Sequence, residues 1–182
     1  MTSNTLLNKE LLTHDSYGLE VNSLADLLQK KGWKLATAES CTGGMIAAAC
    51  TDLAGSSNWF ERGFVSYSND AKTELLGVDA ALIARHGAVS EAVVRAMAAG
   101  AISHSKAQVA VAVTGVAGPT GGTRAKPVGT VWFAFARSVV SSASSPGLVS
   151  EVRRFDGDRA AVRTATVQHA LRRLVELVRQ GG

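Results

Sequence analysis

Helix and strand patterns alternate along most of the chain, and this alternation constrains the fold more than any other feature. Spacing typical of helices recurs at residues 21–31, 45–54, 71–77, 79–86 and 90–105. Short apolar or alternating runs, typical of strands, lie between them at residues 33–38, 59–68 and 108–115. The run at 59–68 alternates imperfectly around Gly63, as an edge or bulged strand does.

Two more strand patterns, at residues 128–137 and 148–155, are separated only by a polar turn at residues 141–147. A short turn joins antiparallel strands, whereas the helical connections suit parallel ones. The sequence therefore predicts an α/β fold of three layers, α/β/α, with a mixed sheet covered by helices on both faces.

The chain of 182 residues is long enough for one substantial core. Residues 1–19 lack sustained periodicity and are expected to form a flexible extension, and residues 20–180 are expected to fold as a single domain. The short helix at residues 71–77 should be capped by Asn69 or Asp70, and the last helix by Asp156 or Asp158. Its buried side should be lined by Val162, Ala165, Val167, Leu171, Leu174 and Val178.

Basic residues outnumber acidic ones, which gives a formal net charge of +4 and a pI near 9.3. The excess is concentrated in the arginines between Arg153 and Arg179, where it is typical of a solvated helix face. Nucleic-acid binding is disfavoured because no aromatic stacking platform accompanies the charge. A mildly basic surface suits a small anionic substrate equally well.

The two cysteines, Cys41 and Cys50, form neither a disulfide framework nor a zinc-binding spacing. No apolar run is long enough for a signal peptide or a membrane span. We therefore expect a cytoplasmic protein that has no membrane partner.

The first candidate site is the motif AESCTGG, in which Ser40 lies between a predicted strand and a predicted helix. A serine at such a junction is exposed at the edge of a sheet, and the backbone N–H groups around Thr42, Gly43 and Gly44 can bind an oxyanion. The alternative is that Ser40 and Thr42 only cap the helix.

A serine nucleophile needs a base, and none of the four histidines (His14, His86, His104 and His169) has a recognisable partner. Cys41 as the nucleophile would need an activating histidine too. Lysine can be the base when burial favours its neutral form. In the motif YSNDAK, Tyr67 ends a strand and Lys72 lies in the first turn of a helix, so the two can converge; the alternative is an interfacial tyrosine and a solvated lysine.

The third candidate is the loop at residues 115–129, which contains five glycines and two prolines between two strands. Such a loop can expose N–H groups to a phosphate, and Arg124 and Lys126 can neutralise its charge. The spacing matches neither the nucleotide-binding P-loop nor the dinucleotide fingerprint. The alternative is a flexible connection.

Several motifs together resemble the CinA C-terminal family: AESCTGG, AGSSNWFERGFVSYSNDAK, HGAVSE, TGVAGPTGG and KPVGTVWFAFA. The resemblance extends from about Leu24 to about Leu177. It implies hydrolysis of nicotinamide mononucleotide (NMN) to nicotinate mononucleotide and ammonia, with no cofactor and no metal, and it makes a homodimer plausible. Many relatives carry a further N-terminal domain with pyrophosphatase activity, which we do not expect here.

The resemblance also implies roles for individual residues. Ser40 is then the nucleophile, and Lys72 accepts its proton directly or through Tyr67. The substrate is held by Thr42, Gly43, Gly44, Thr114, Gly115, Gly118 and Gly121, with Arg124 and Lys126 as further contacts. Thr120 replaces an acidic residue of some relatives, which affects only the fine contacts of the loop. The competing hypothesis is a non-catalytic binding or regulatory protein.

Overall fold

A computed structural model of the protein describes residues 17–138 and 147–180. The strands are β1 Leu35–Glu39, β2 Phe60–Val65, β3 Val109–Gly115, β4 Thr130–Arg137 and β5 Gly147–Arg154. They form one sheet in the order β2-β1-β3-β4-β5. Strands β2, β1 and β3 are parallel, whereas β4 is antiparallel to both β3 and β5. The predicted mixed sheet is confirmed.

The helices are α1 Gly18–Lys31, α2 Met45–Thr51, α3 Asn69–Leu76, α4 Ala80–His86, α5 Glu91–Ser103 and α6 Arg159–Gln180. One core lies between the sheet and α1, α2 and α6. A second core lies between the opposite face of the sheet and α3, α4 and α5. The three predicted layers are therefore present, and no described helix is long and apolar enough to cross a membrane.

The central strands separate large side chains from small ones by their alternation. In β3, Val111 and Val113 face the first core, whereas Ala110 and Ala112 face the second. The same division recurs in β4, where Phe133 and Phe135 alternate with alanines. Successive side chains of a strand point to opposite faces, so one sequence of alternating size fills both cores.

Several element boundaries differ from the prediction. Helix α1 begins at Gly18, inside the segment assigned to the extension, and residues 1–16 lie outside the described residues. Neither Asn69 nor Asp70 caps α3; the Ser68 side chain accepts the Ala71 N–H. The predicted turn at 141–147 lies outside the described residues except at its last position. Strand β2 is an edge strand with a register irregularity, as predicted.

Candidate active site

The candidate residues lie at one edge of the sheet, where the parallel strands end. Ser40 follows β1, Tyr67 lies just after β2, and Thr114 is the second-last residue of β3, before the loop. Strand β5 also ends at this edge, so α6 begins there. In open α/β sheets, ligands bind at the carboxyl ends of the strands. The cleft at this edge is lined by Ser40, Cys41, Tyr67, Lys72, Ala88, Val89, Thr114, Gly115, Ala117 and Arg159.

Ser40 and Lys72 meet inside this cleft. Lys72 Nζ donates to Ser40 Oγ at 3.1 Å. Ser40 is 9% exposed and Lys72 1% exposed, so that the contact is almost closed to bulk water. The alternative of a solvated Lys72 is therefore wrong. A lysine beside a serine hydroxyl is the geometry that a serine–lysine hydrolase requires.

Main-chain carbonyls surround the Lys72 amine. It donates to the carbonyl oxygens of Ser66 at 2.9 Å, Tyr67 at 3.0 Å and Ser68 at 3.4 Å. Burial lowers the pKa of Lys72, because desolvation penalises the ammonium form. The neutral form of the amine has only two N–H groups, which suffice for the two nearer carbonyls. In that form the amine would accept the Ser40 hydroxyl proton instead of donating to it.

The side chain of Tyr67 points to a different partner. Its hydroxyl accepts a hydrogen bond from Arg159 Nη2 at 3.1 Å, and the residue is 59% exposed. Its contact with Lys72 is through the main-chain carbonyl. Among the described residues, no hydrogen bond joins the Tyr67 hydroxyl to Lys72 or to Ser40. The geometry therefore supports direct proton transfer between Ser40 and Lys72 more than transfer through Tyr67.

Glu39 is a buried site residue that the sequence analysis missed. Its carboxylate accepts the Thr42 hydroxyl at 2.7 Å and the N–H groups of Gly44, Ile46 and Ala47 at 3.0, 3.0 and 2.8 Å. These N–H groups belong to the start of α2, whose N-cap Gly44 makes no side-chain cap bond. Glu39, rather than Ser40 or Thr42, therefore satisfies the helix start, and the capping alternative for Ser40 is wrong.

The oxyanion interpretation of the Thr42–Gly44 amides is corrected at two positions. Gly43 N–H donates to the Ser40 carbonyl at 3.1 Å, and Gly44 N–H is used by Glu39. Both glycines have positive φ, 61° and 97°, which a residue with a Cβ rarely adopts. Within the described part of the chain, the N–H groups of Cys41 and Thr42 donate to no carbonyl or carboxylate. These two amides remain as candidates to hold an oxyanion.

The glycine-rich loop contributes unevenly to the cleft. Thr114 and Gly115 line it, and Thr114 Oγ1 donates to the Ala88 carbonyl at 3.0 Å. Gly118 reaches its rim, where its carbonyl accepts from Arg159 Nη1 at 3.0 Å. Gly121, Arg124 and Lys126 are not among the described residues that line it. Lys126 Nζ instead donates to the His86 carbonyl at 3.0 Å, which ties the loop to the end of α4.

Two arginines at the start of α6 are further residues that the sequence analysis did not single out. Arg159 joins Tyr67 to Gly118 across the cleft rim, and Arg163 Nη2 donates to the Thr42 carbonyl at 2.9 Å. Both were included in a face interpreted as solvated. The sequence feature that could have located these arginines is Asp158. Its side chain caps α6 by accepting the Ala161 N–H, and so fixes where that helix begins.

The other candidate groups are unsuited to nucleophilic chemistry. Burial raises the pKa of the Cys41 thiol to about 12, so it stays protonated. His104 Nδ1 contacts the Gly100 carbonyl, His169 contacts Glu151, and His86 is exposed at the end of α4. His14 lies outside the described residues. Within residues 17–138 and 147–180 no group of three or more His, Cys, Asp or Glu side chains is arranged to hold a metal ion.

Ser66 carries a buried hydroxyl that has no hydrogen-bond partner among the described residues. Ser66→Ala is expected to raise the free energy of unfolding by about 1 kcal/mol, because a buried unsatisfied polar group destabilises the folded state. Urea denaturation measures the change. The control is Ser105→Ala, which removes hydrogen bonds to Ala101 at 2.6 Å and Ala107 at 3.2 Å and should lower stability. Equal losses in both variants would contradict the prediction.

Comparisons with known proteins identify the family to which the sequence and the fold are similar. The family model described as CinA C-terminal domain matches residues 20–178. The nicotinamide-nucleotide amidohydrolase PncC of Escherichia coli strain K12 is 52% identical over 147 residues, which cover 81% of this chain and 86% of that protein. A CinA-like protein of Mycolicibacterium gilvum is 52% identical over 170 residues, 91% of this chain but 38% of that longer protein. The crystal structure of a CinA superfamily protein from Klebsiella pneumoniae 700603 superposes with a TM-score of 0.82 at 38% identity, covering 92% of this chain and 98% of that one.

Proposed function

Since the chain belongs to the CinA C-terminal domain family, we propose that it hydrolyses the carboxamide of NMN to nicotinate mononucleotide and ammonia. The observation that carries the proposal is the 3.1 Å contact between Lys72 Nζ and Ser40 Oγ in the cleft. A buried amine beside a serine hydroxyl is suited to acyl transfer. The choice of substrate is supported by relatives about 52% identical that are named nicotinamide-nucleotide amidohydrolase.

In the first half of the reaction, neutral Lys72 takes the proton of Ser40 Oγ while the oxygen attacks the carboxamide carbon. The carbonyl oxygen becomes an oxyanion, which the N–H groups of Cys41 and Thr42 stabilise. Lys72 then gives its proton to the carboxamide nitrogen, the C–N bond breaks and ammonia leaves. Ser40 is now joined to the nicotinoyl group by an ester bond.

In the second half, a water molecule attacks the ester carbon and Lys72 takes one of its protons. The tetrahedral adduct collapses, the bond to Ser40 breaks, and Lys72 returns the proton to Ser40 Oγ. The product forms as the carboxylic acid, and nicotinate mononucleotide becomes a carboxylate when the second proton of the water is released to solvent. Lys72 thus begins and ends each half-reaction as a neutral amine, and its lowered pKa favours that form.

Arg159 is proposed to bind the phosphate of NMN at the rim of the cleft. Arg159→Ala is expected to raise KM for NMN by about tenfold or more, because a hydrogen bond between charged groups contributes about 1.5–3 kcal/mol. KM for nicotinamide riboside, which has no phosphate, should change much less. Steady-state kinetics on both substrates measure the difference. The control is Arg172→Ala on an exposed part of α6; equal effects of Arg159→Ala on both substrates would refute the phosphate contact.

The proposal is tested by ammonia release from NMN by the purified protein in the presence of EDTA, beside Ser40→Ala. Release by the wild-type protein alone, with nicotinate mononucleotide identified as the product, is the expected result. No release by the wild-type protein would contradict the proposal and favour the non-catalytic hypothesis. A homodimer belongs to the same proposal and rests on the resemblance. A cytoplasmic location is proposed too, from the spacing of the two cysteines, which forms no disulfide framework.

A further inference from the structure

Glu39 connects the two halves of the Ser40–Lys72 pair. Its carboxylate holds the turn after Ser40 through Thr42 and the first N–H groups of α2, and it also accepts the Thr37 hydroxyl at 3.2 Å. Its main-chain carbonyl accepts the Ser66 N–H at 2.9 Å. The carbonyl of Ser66 in turn accepts from Lys72 at 2.9 Å. The Glu39 carboxylate therefore holds the turn that carries Ser40, and the main chain of the same residue holds the segment whose carbonyls bind the Lys72 amine.

This arrangement differs from how the neighbouring helices begin. Helices α3, α4 and α5 are each capped by one short side chain that accepts a single backbone N–H group. The capping residues are Ser68, Asp79 and Ser90. Helix α2 instead uses a fully buried carboxylate with five hydrogen bonds. Among the described residues, no cation forms an ion pair with it. Burying a carboxylate is costly, and an ordinary N-cap would satisfy the start of a helix at lower cost.

We propose that Glu39 is a positioning residue for acylation, which holds Ser40 Oγ where the Lys72 amine can take its proton. The inference rests on the proposed function and assigns a role that the family resemblance did not supply. The Glu39 carboxylate binds the N–H groups of Gly44, Ile46 and Ala47. The amides of Cys41 and Thr42 are not among those it binds, so they stay candidates to hold the oxyanion.

Glu39→Gln is the first test, because glutamine keeps the shape but replaces one acceptor oxygen with a donor NH₂ group. That group would face an N–H or O–H donor, so the turn must shift. A displacement of the order of 1 Å costs about a hundredfold in rate. We expect kcat for ammonia release from NMN to fall by about ten- to a hundredfold, while KM stays within about threefold of the wild-type value.

The matched control is Asp79→Ala, which removes the carboxylate cap of α4 and its 2.8 Å bond from Ala81 N–H. It should lower Tm by about 2–4 °C and leave kcat unchanged. All rates are measured at a temperature where circular dichroism shows both variants to be folded. If Glu39→Gln lowers Tm but keeps the wild-type kcat, or raises KM alone, Glu39 is only a helix cap or a binding group and the proposal is wrong.

A second measurement uses no NMN. The rate at which a fluorophosphonate labels Ser40 reports the reactivity of the Ser40–Lys72 pair, and it should fall in Glu39→Gln in parallel with kcat. If the wild-type protein releases no ammonia from NMN but labelling slows in the variant, the proposed function fails and the positioning role stands. A labelling rate equal to that of the wild-type protein overturns the role.

If Glu39→Gln does not fold, Thr42→Val replaces it, because valine keeps the shape of threonine and removes one of the donors to Glu39. We expect a severalfold loss of kcat and of labelling rate with KM unchanged. Wild-type values of both rates in folded Thr42→Val would then overturn the proposal.

Discussion

Ser40→Ala is expected to lower kcat for ammonia release from NMN by about four orders of magnitude or more, as removal of a nucleophile does in other hydrolases. The reason is the loss of the atom that forms the ester bond, while the amides of the turn and the rest of the cleft remain. The variant should still bind NMN, because the arginine at the rim is untouched. Binding is measured by calorimetry and the rate by a coupled ammonia assay.

The control for this prediction is Cys41→Ala at the next position of the same turn. It should keep most of the activity, since the Cys41 thiol is buried and its pKa is raised to about 12. If Cys41→Ala were inactive and Ser40→Ala active, the nucleophile would be the cysteine and the serine mechanism would be wrong.

Lys72→Met is expected to cause a loss comparable to that of Ser40→Ala, and the double variant should be no worse than either single variant. Groups that act as one unit are not additive, because removing either one abolishes the same step. Lys72→Arg should not restore activity, since an arginine stays protonated and cannot be a base. A double-mutant cycle on kcat/KM measures the coupling; additive losses would contradict the direct Ser40–Lys72 pair.

The same lysine determines the expected pH dependence. In the proposed mechanism the base is the neutral amine, so kcat/KM should rise with pH as Lys72 loses its proton. Burial lowers the pKa of Lys72, so the midpoint of the rise should lie below the value of about 10.4 usual for lysine. A rate that is flat with pH, or that falls where this rise is expected, would exclude Lys72 as the base.

The fold was predictable because its signals are local. Runs such as residues 108–115 show strand alternation within a few residues. Glycines also mark helix ends in the sequence, and Gly32 and Gly77 follow α1 and α3 with the positive φ typical of such ends. The mixed sheet followed from the short connection between the last two strands. What remained uncertain was which residue caps each helix: Ser68 rather than Asn69 caps α3, and both residue types favour that position.

The site was only partly predictable, because its key contacts join distant parts of the chain. Ser40 and Lys72, which the structure brings into contact, were candidates from the motifs around them. Glu39 was not, since a carboxylate at the end of a strand gives no sign that it will be buried under the next helix. Arg159 was hidden in a run of arginines, and only the tertiary position of the start of α6 distinguishes it from the solvated ones.

The amine of Lys72 is held by carbonyl oxygens that every amino acid carries. The site that holds the amine is therefore created by the path of the backbone between β2 and α3. It does not depend on the identity of the side chains at residues 66–68. The Tyr67 side chain lines the cleft, whereas its main-chain carbonyl accepts a hydrogen bond from the lysine. A substitution at position 67 would therefore change the wall of the cleft and leave the acceptors of the lysine in place.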